Sequence, residues 1–126
     1  MEIGTIGAGP FAQAFAKRAL KAGNFTPANV GNLSTSQVVA ALAPGARVVK
    51  ALNNMFASNL EADPVVNGAR RVAFISGDDG DAKKRVETLL EGLGYSVVDL
   101  GNLRDGGLIQ QAGGPLAGRD FLERTE

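Results

Sequence analysis

The sequence of 126 residues has no histidine, no cysteine and no tryptophan, and only 6% of its residues are aromatic. Without cysteine there can be no thiolate nucleophile, no disulfide and no thiolate metal centre. Without histidine there is no Ser-His-Asp triad and no imidazole ligand for zinc. Neither sign of charge is in excess, with 13 Lys and Arg against 13 Asp and Glu. No apolar run approaches the roughly 20 residues that cross a bilayer, and Met1 to Gly9 lacks the basic region and long apolar stretch of a secretory signal. A cytoplasmic protein without a membrane partner is expected.

What is present is the composition of a globular chain, 44% apolar and 21% charged. A single domain over residues 1–126 is expected, burying roughly two thirds of its unfolded surface. Charge is unevenly placed along it. Residues 1–60 hold Lys17, Arg18, Lys21, Arg47 and Lys50 against Glu2 alone, a net +4, and the remainder balances this at −4. A basic half suits an anionic small molecule. The basic density and interleaved aromatics of a nucleic-acid surface are missing, so no nucleic-acid partner is expected.

Glu2 to Ile6 reads as a short strand, and Phe11 to Ala22 as an amphipathic helix. Pro10 suits the first helical position and Gly23 supplies the stop. Ser34-x-x-Gln37 opens a second helix with Val38, Val39 and Leu42 as its stripe, ended by Pro44-Gly45. Arg47 to Leu52 reads as a buried strand broken by Asn53-Asn54. Met55 to Leu60 reads as one or two helical turns, and Asp63 to Gly68 as turn-rich. Arg71 to Ser76 is a continuous apolar strand of the kind covered on both faces. Asp78 or Asp79 can cap the helix that follows, whose stripe is Ala82, Val86, Leu89, Leu90 and Leu93 and whose end is Gly94. Tyr95 to Leu100 is a further strand, and the glycine-rich tail 102–126 predicts only irregular structure and short helices. Alternating strands and helices predict an α/β fold with a parallel sheet of about four strands and helices on both faces.

The strongest local signal is Gly7-x-Gly9-x-x-Ala12 between a strand and a helix. Gly7 permits the tight turn and Gly9 a close backbone approach to a pyrophosphate. Ala12 lets helix pack on strand, and the helix start offers free N–H groups and a positive dipole end. A ligand-free turn between strand and helix has the same spelling. The acid that would bind the ribose hydroxyls of NAD about 20 residues on is missing, since no Asp or Glu lies between Ile3 and Leu60. This disfavours NAD and leaves NADP, or a binding mode that ignores the ribose.

The opening EIGTIGAGPFAQAFAKRALKAG, the strand RVVKALNNMFASNL, the segment RRVAFISGDDGDAKKRVETLLEGLGYSVVDLGNLRDGGLIQ and the Gly113-Gly114 pair after it resemble the coenzyme F-420-dependent NADP oxidoreductase family. The resemblance implies a Rossmann-like dinucleotide-binding domain that takes NADP(H), with coenzyme F-420 or a flavin as the second substrate. In that family further strand–helix units stand where this chain has only Asn24 to Pro27, so the domain reads as one shortened in its middle. The units lacking include the residues that would hold the NADP 2′-phosphate. By position, Gly7, Ala8, Gly9, Pro10, Phe11 and Ala12 match the pyrophosphate loop, with Pro10 removing one N–H. Asn32 matches a strand end facing the nicotinamide. Lys50, Asn53 and Asn54 match the strand whose carboxyl end lines the cleft, and Gly113 and Gly114 match the loop near the second substrate.

Each of these positions also has a plainer reading. Lys50 and Asn53 read equally as a strand end capping its own turn. Asp78, Asp79 and Asp81 read as helix-start acids, Phe11, Phe15, Phe56 and Phe74 as core, and Gly113-Gly114 as a flexible tail. Hydride transfer fits a chain without His or Cys, because it asks the protein for orientation and exclusion of water rather than for a nucleophile. The rival is a non-catalytic, shortened module that binds a nucleotide or nothing. On either reading a small sheet with an open edge predicts a homodimer.

Overall fold

A computed structural model describes residues 35–124. In chain order the elements are α1 (Thr35–Leu42), β1 (Val49–Ala51), α2 (Ala57–Glu61), β2 (Val65–Val66), β3 (Ala69–Gly77), α3 (Gly80–Gly92), β4 (Ser96–Asp99), α4 (Asp105–Gln110) and β5 (Leu122–Arg124). The first predicted strand and helix, with the Gly7 to Ala12 loop between them, lie outside the described residues, as does Asn32.

The nine-residue β3 is the axis of the sheet, since every other described strand pairs with it. Its amino-terminal part pairs with β2 and β5, and its carboxyl-terminal part with β1 and β4. Arg71 N–H donates to the Pro64 carbonyl and Val72 N–H to that of Phe121, while Gly77 N–H donates to Gly101. Successive amides of a strand point to opposite edges, so β5 prolongs the edge that β1 occupies and β2 the edge that β4 occupies.

The expected parallel sheet is corrected here. Only β3 and β4 run parallel; β1, β2 and β5 all run against β3. The reason is the connections. A parallel neighbour requires a crossover, and α3 provides one between β3 and β4. Between β2 and β3 stand only Asn67 and Gly68, both in the left-handed region at φ 50° and 81°. That is the two-residue turn that joins antiparallel strands with the right twist. The α/β class stands, with a mixed and mainly antiparallel sheet. Two strands, β2 and β5, occupy segments read as turn and irregular tail.

Helix α3 forms where its caps predict. The Asp79 carboxylate accepts from the Ala82 N–H at 2.8 Å, satisfying one orphan donor of the first turn. Gly94, at φ 106°, takes the left-handed position after the last turn, with its N–H on the Glu91 carbonyl. The buried residues Ala73, Ile75, Leu90 and Tyr95 make the core, flanked by Val49, Ala51, Val86 and Val97. Since Ala51 pairs with Ile75 and Val97 with Ala73, these strand residues share the face covered by α3. The stripe of α3 is only half used. Leu90 is buried, whereas Leu89 and Leu93 are exposed, Leu93 by 58%. Phe74 is buried as expected and meets Phe121 edge to face with ring centroids 5.4 Å apart. Phe56 is not core, being 62% exposed, although its ring lies against Gly118.

Candidate functional site

The other face of the sheet, under α4, is built differently. Lys50 on β1 lies directly opposite Ser76 on β3, so the two side chains share a face. A Cβ on Gly106 would stand 2.6 Å from the Ser76 Cβ, which identifies α4 as the element packed there and glycine as the residue its close approach requires. From the carboxyl end of α4, Gln110 reaches down to this face. The Ser76 hydroxyl donates to the Gln110 Oε1 at 3.2 Å, and the Asn53 Nδ2 donates to the Gln110 backbone carbonyl at 3.0 Å. Asn54 in turn donates through Nδ2 to the Arg119 carbonyl at 3.2 Å and receives the Gly118 N–H on its own backbone carbonyl at 3.0 Å.

Four of these polar residues are buried: Lys50 at 8% exposure, Asn54 at 1%, and Ser76 and Gln110 at 0%. Such burial is tolerated when every polar atom is paired, and two atoms are not. Asn54 Oδ1, an acceptor, and Gln110 Nε2, a donor, have no hydrogen-bond partner among the described residues. An orphan of this kind costs about 1–3 kcal/mol until a ligand group or an ordered water satisfies it. Burial also acts on Lys50, lowering its ammonium from the ordinary 10.5 to about 8. The cluster therefore offers one acceptor and one donor without partners among the described residues, beside a buried cation.

Local backbone strain accompanies the cluster. Leu52, between Lys50 and Asn53, is held at φ 61°, a region that a bulky side chain rarely enters. The bend turns the chain out of β1, and Leu52 packs against the core under α3. The amides of Asn53 and Asn54 reach segments 57 and 65 residues away in the chain.

Of the expected site residues, the structure therefore brings together Lys50, Asn53 and Asn54. Asn53 is not capping its own turn, because its donor reaches α4. Gly7, Ala8, Gly9, Pro10, Phe11, Ala12 and Asn32 fall outside the described residues. Gly113 and Gly114 form a turn after α4; a Cβ on Gly114 would stand 2.6 Å from the Ile109 carbonyl, so this segment is packed rather than loose. Ser76 and Gln110 are functional candidates that sequence reasoning missed. Ser76 could have been suspected as a polar residue inside the run RVAFIS, whereas a single glutamine beside a glycine-rich tail gives no signal. Asp78 and Asp79 serve structure: Asp79 caps α3, and Asp78 accepts the Leu103 N–H at 2.9 Å. No group of three or more acidic, histidine or cysteine side chains able to hold a metal occurs among the described residues. No described helix is long and apolar enough to cross a membrane.

No protein-family profile matches the chain. Among solved structures, the hypothetical protein SMa0349 of Sinorhizobium meliloti is 42% identical, superposes with a TM-score of 0.71 and is matched over 79% of this chain and 49% of its own. A protein of Arthrobacter sp. FB24, provisionally described as an F420-dependent NADP reductase, is 38% identical over 57% of this chain and 33% of its own. Its TM-score of 0.49 carries no structural argument. The chain thus spans about half the length of the first of these proteins and a third of the second.

Proposed function

We propose that the chain is an NADP(H)-binding, reductase-like protein that serves hydride transfer to a deazaflavin or flavin acceptor. The observation that carries this reading is the Gly7-x-Gly9-x-x-Ala12 spacing between a predicted strand and a predicted helix, in a basic half with no acid from Gly4 to Asn59 to claim the ribose hydroxyls. The buried polar residues beside α4 support it, since two buried polar atoms without a partner among the described residues are what a polar ligand would complete. The chemistry a nicotinamide supplies when bound is a hydride passed directly to an acceptor carbon at about 3–3.5 Å. The chain's own part is to bind, to orient and to exclude water, with Lys50, Asn53 and Gln110 on the polar face and residues 7–12 on the phosphates.

Calorimetric titration with NADPH, NADH and ADP-ribose tests the reading. NADPH should bind most tightly, and Gly9→Asp should abolish the heat. Absence of heat with all three would leave the non-catalytic module instead. The homodimer belongs to this proposal too. The outer edge of β4 has no strand partner among the described residues, and Val65, Leu89 and Leu93 are exposed. A mass in solution that stays monomeric at all concentrations would exclude the dimer.

A further inference from the structure

We infer that α3 is a self-association surface: two copies of the chain pair through the exposed faces of their α3 helices, antiparallel about a twofold axis that passes between Thr88 and Leu89. The inference rests on the homodimer reading above and deepens it by choosing this helix over the open edge of β4.

Leu90 faces the core, whereas Arg85, Thr88 and Gly92 are exposed. At about 100° per residue these three run along the middle of the outer face of α3. Leu89 and Leu93 lie on one flank, 43% and 58% exposed, and Lys84 and Glu91 on the other. The apolar flank continues past the helix end. A Cβ on Gly94 would stand 3.0 Å from Pro64 and 3.8 Å from Val65, and Val65 is itself exposed. Lys84, Arg85, Thr88 and Leu89 line an open, mostly apolar depression on the same face. Gly92 is a poor helix former that nothing among the described residues calls for: its φ is not positive, and a Cβ there would meet no atom within 4 Å.

Charge decides what fits this face. Its first half carries Lys84 and Arg85 and its second half Glu91, and the last turn of α3 has no base to meet its carbonyls. Arg85 and Glu91 form no ion pair among the described residues, and Lys84 meets Glu87 at 3.6 Å within the helix. A face that is basic at one end and acidic at the other complements itself when a second copy is turned end for end. The rotation sets Thr88 level with the partner's Leu89, Arg85 with the partner's Gly92 and Lys84 with the partner's Leu93. It also brings like flanks together. Leu89 and Leu93 meet the partner's Leu89 and the partner's Leu93, and Lys84 lies within about 3 Å, measured along the axis, of the partner's Glu91. Gly92 lets the two backbones approach where Arg85 reaches the carbonyls of the partner's last turn.

Sedimentation equilibrium of the full chain over a range of concentrations tests the pairing. One helix face and the tip of β2 offer less than the roughly 800 Å² per partner of a standard interface, so the wild type should pass from monomer to dimer with a Kd of about 1–100 μM. Leu89→Asp should weaken association by at least about thirtyfold and Gly92→Gln by about tenfold. Lys84→Glu and Glu91→Lys should each weaken it by about tenfold, and mixing the two variants should restore it, because each then meets the opposite charge. All four positions are exposed, so the urea midpoint of each variant should stay near that of the wild type. Recovery on mixing is a result that a merely disturbed fold would not give. A wild type that is monomeric at every concentration would overturn the pairing and the homodimer reading together. A dimer that keeps its affinity in Leu89→Asp, or a mixture no tighter than its components, would overturn the pairing alone and leave the dimer to another surface. A urea midpoint that falls steeply in Leu89→Asp would mean that another part of the chain covers the helix, and would overturn the pairing as well.

Discussion

The two faces of β3 differ most at the carboxyl-terminal end of the strand. Under α3, Ala73 and Ile75 meet Leu90, Tyr95 and Val97, and the face gains stability from the apolar area it removes from water. Under α4, the same strand presents Ser76, its cross-strand neighbour is Lys50, and the helix sends down Gln110. Val72 and Phe74 are buried on this face too, so the departure from apolar packing is confined to its Ser76 end. It keeps a desolvated cation and two unpaired polar atoms, costs that a fold optimised for stability alone would shed by using apolar residues. The difference teaches where to look for function: the α3 face explains why the sheet holds, and the α4 face is the part that stability does not explain.

Substitutions on the two sides should break or sharpen this contrast. The largest effect is expected from Ile75→Ala, which leaves a cavity in the fully buried apolar face. It should destabilise by about 2–5 kcal/mol in urea unfolding. Lys50→Met should act in the other direction by relieving the buried cation. The folded-state pKa of Lys50 is depressed to about 8 from 10.5, so the unfolded chain binds the extra proton between these values. The Lys50 contribution to stability is therefore complete above pH 10.5 and is lost as the pH falls through 8. On the scale of 1.36 kcal/mol per unit this is at most about 3 kcal/mol, reduced by whatever solvent still screens the ammonium. Lys50→Met should flatten that rise and be more stable than wild type at pH 7, measured by unfolding at several pH values. Gly106→Ala would force α4 away from Ser76 and should cost about 1–3 kcal/mol, while moving the NMR signals of Gln110 and Asn53 more than those of Leu90. Asp79→Ala removes only the cap of α3 and should cost about 1 kcal/mol without disturbing the NADPH titration.

Much of the α3 side was legible in the sequence, because its signals are local. The run RVAFIS, the acids before α3 and Gly94 after it each act within a few residues, and β3, α3 and β4 follow. Strand direction is not local in this way. Arg47 to Leu52 reads as a strand, but its orientation depends on which edge of β3 it joins and on a left-handed Leu52 that nothing in the residue type announces. The Asn67-Gly68 pair carries a hairpin signal inside an otherwise turn-rich stretch. Leu89 and Leu93 fit the helical stripe yet remain exposed, since periodicity marks a face without saying how far its neighbours cover it. The polar cluster was half legible. Lys50 and Asn53 stand out through the resemblance, while Ser76 and Gln110 gain meaning only once α4 folds back across the sheet.

Because every other described strand hydrogen-bonds to β3, the described part of the sheet has this one strand as its spine. Segments from Val49 to Arg124 must all find the same nine residues, so the ladder is expected to open as one unit. In hydrogen exchange the amides of Val72 to Ser76 should report the global transition. Anything that gripped Ser76 through Gln110 would then slow the opening of the whole assembly of strands, and a ligand on one face would be felt as protection on the other.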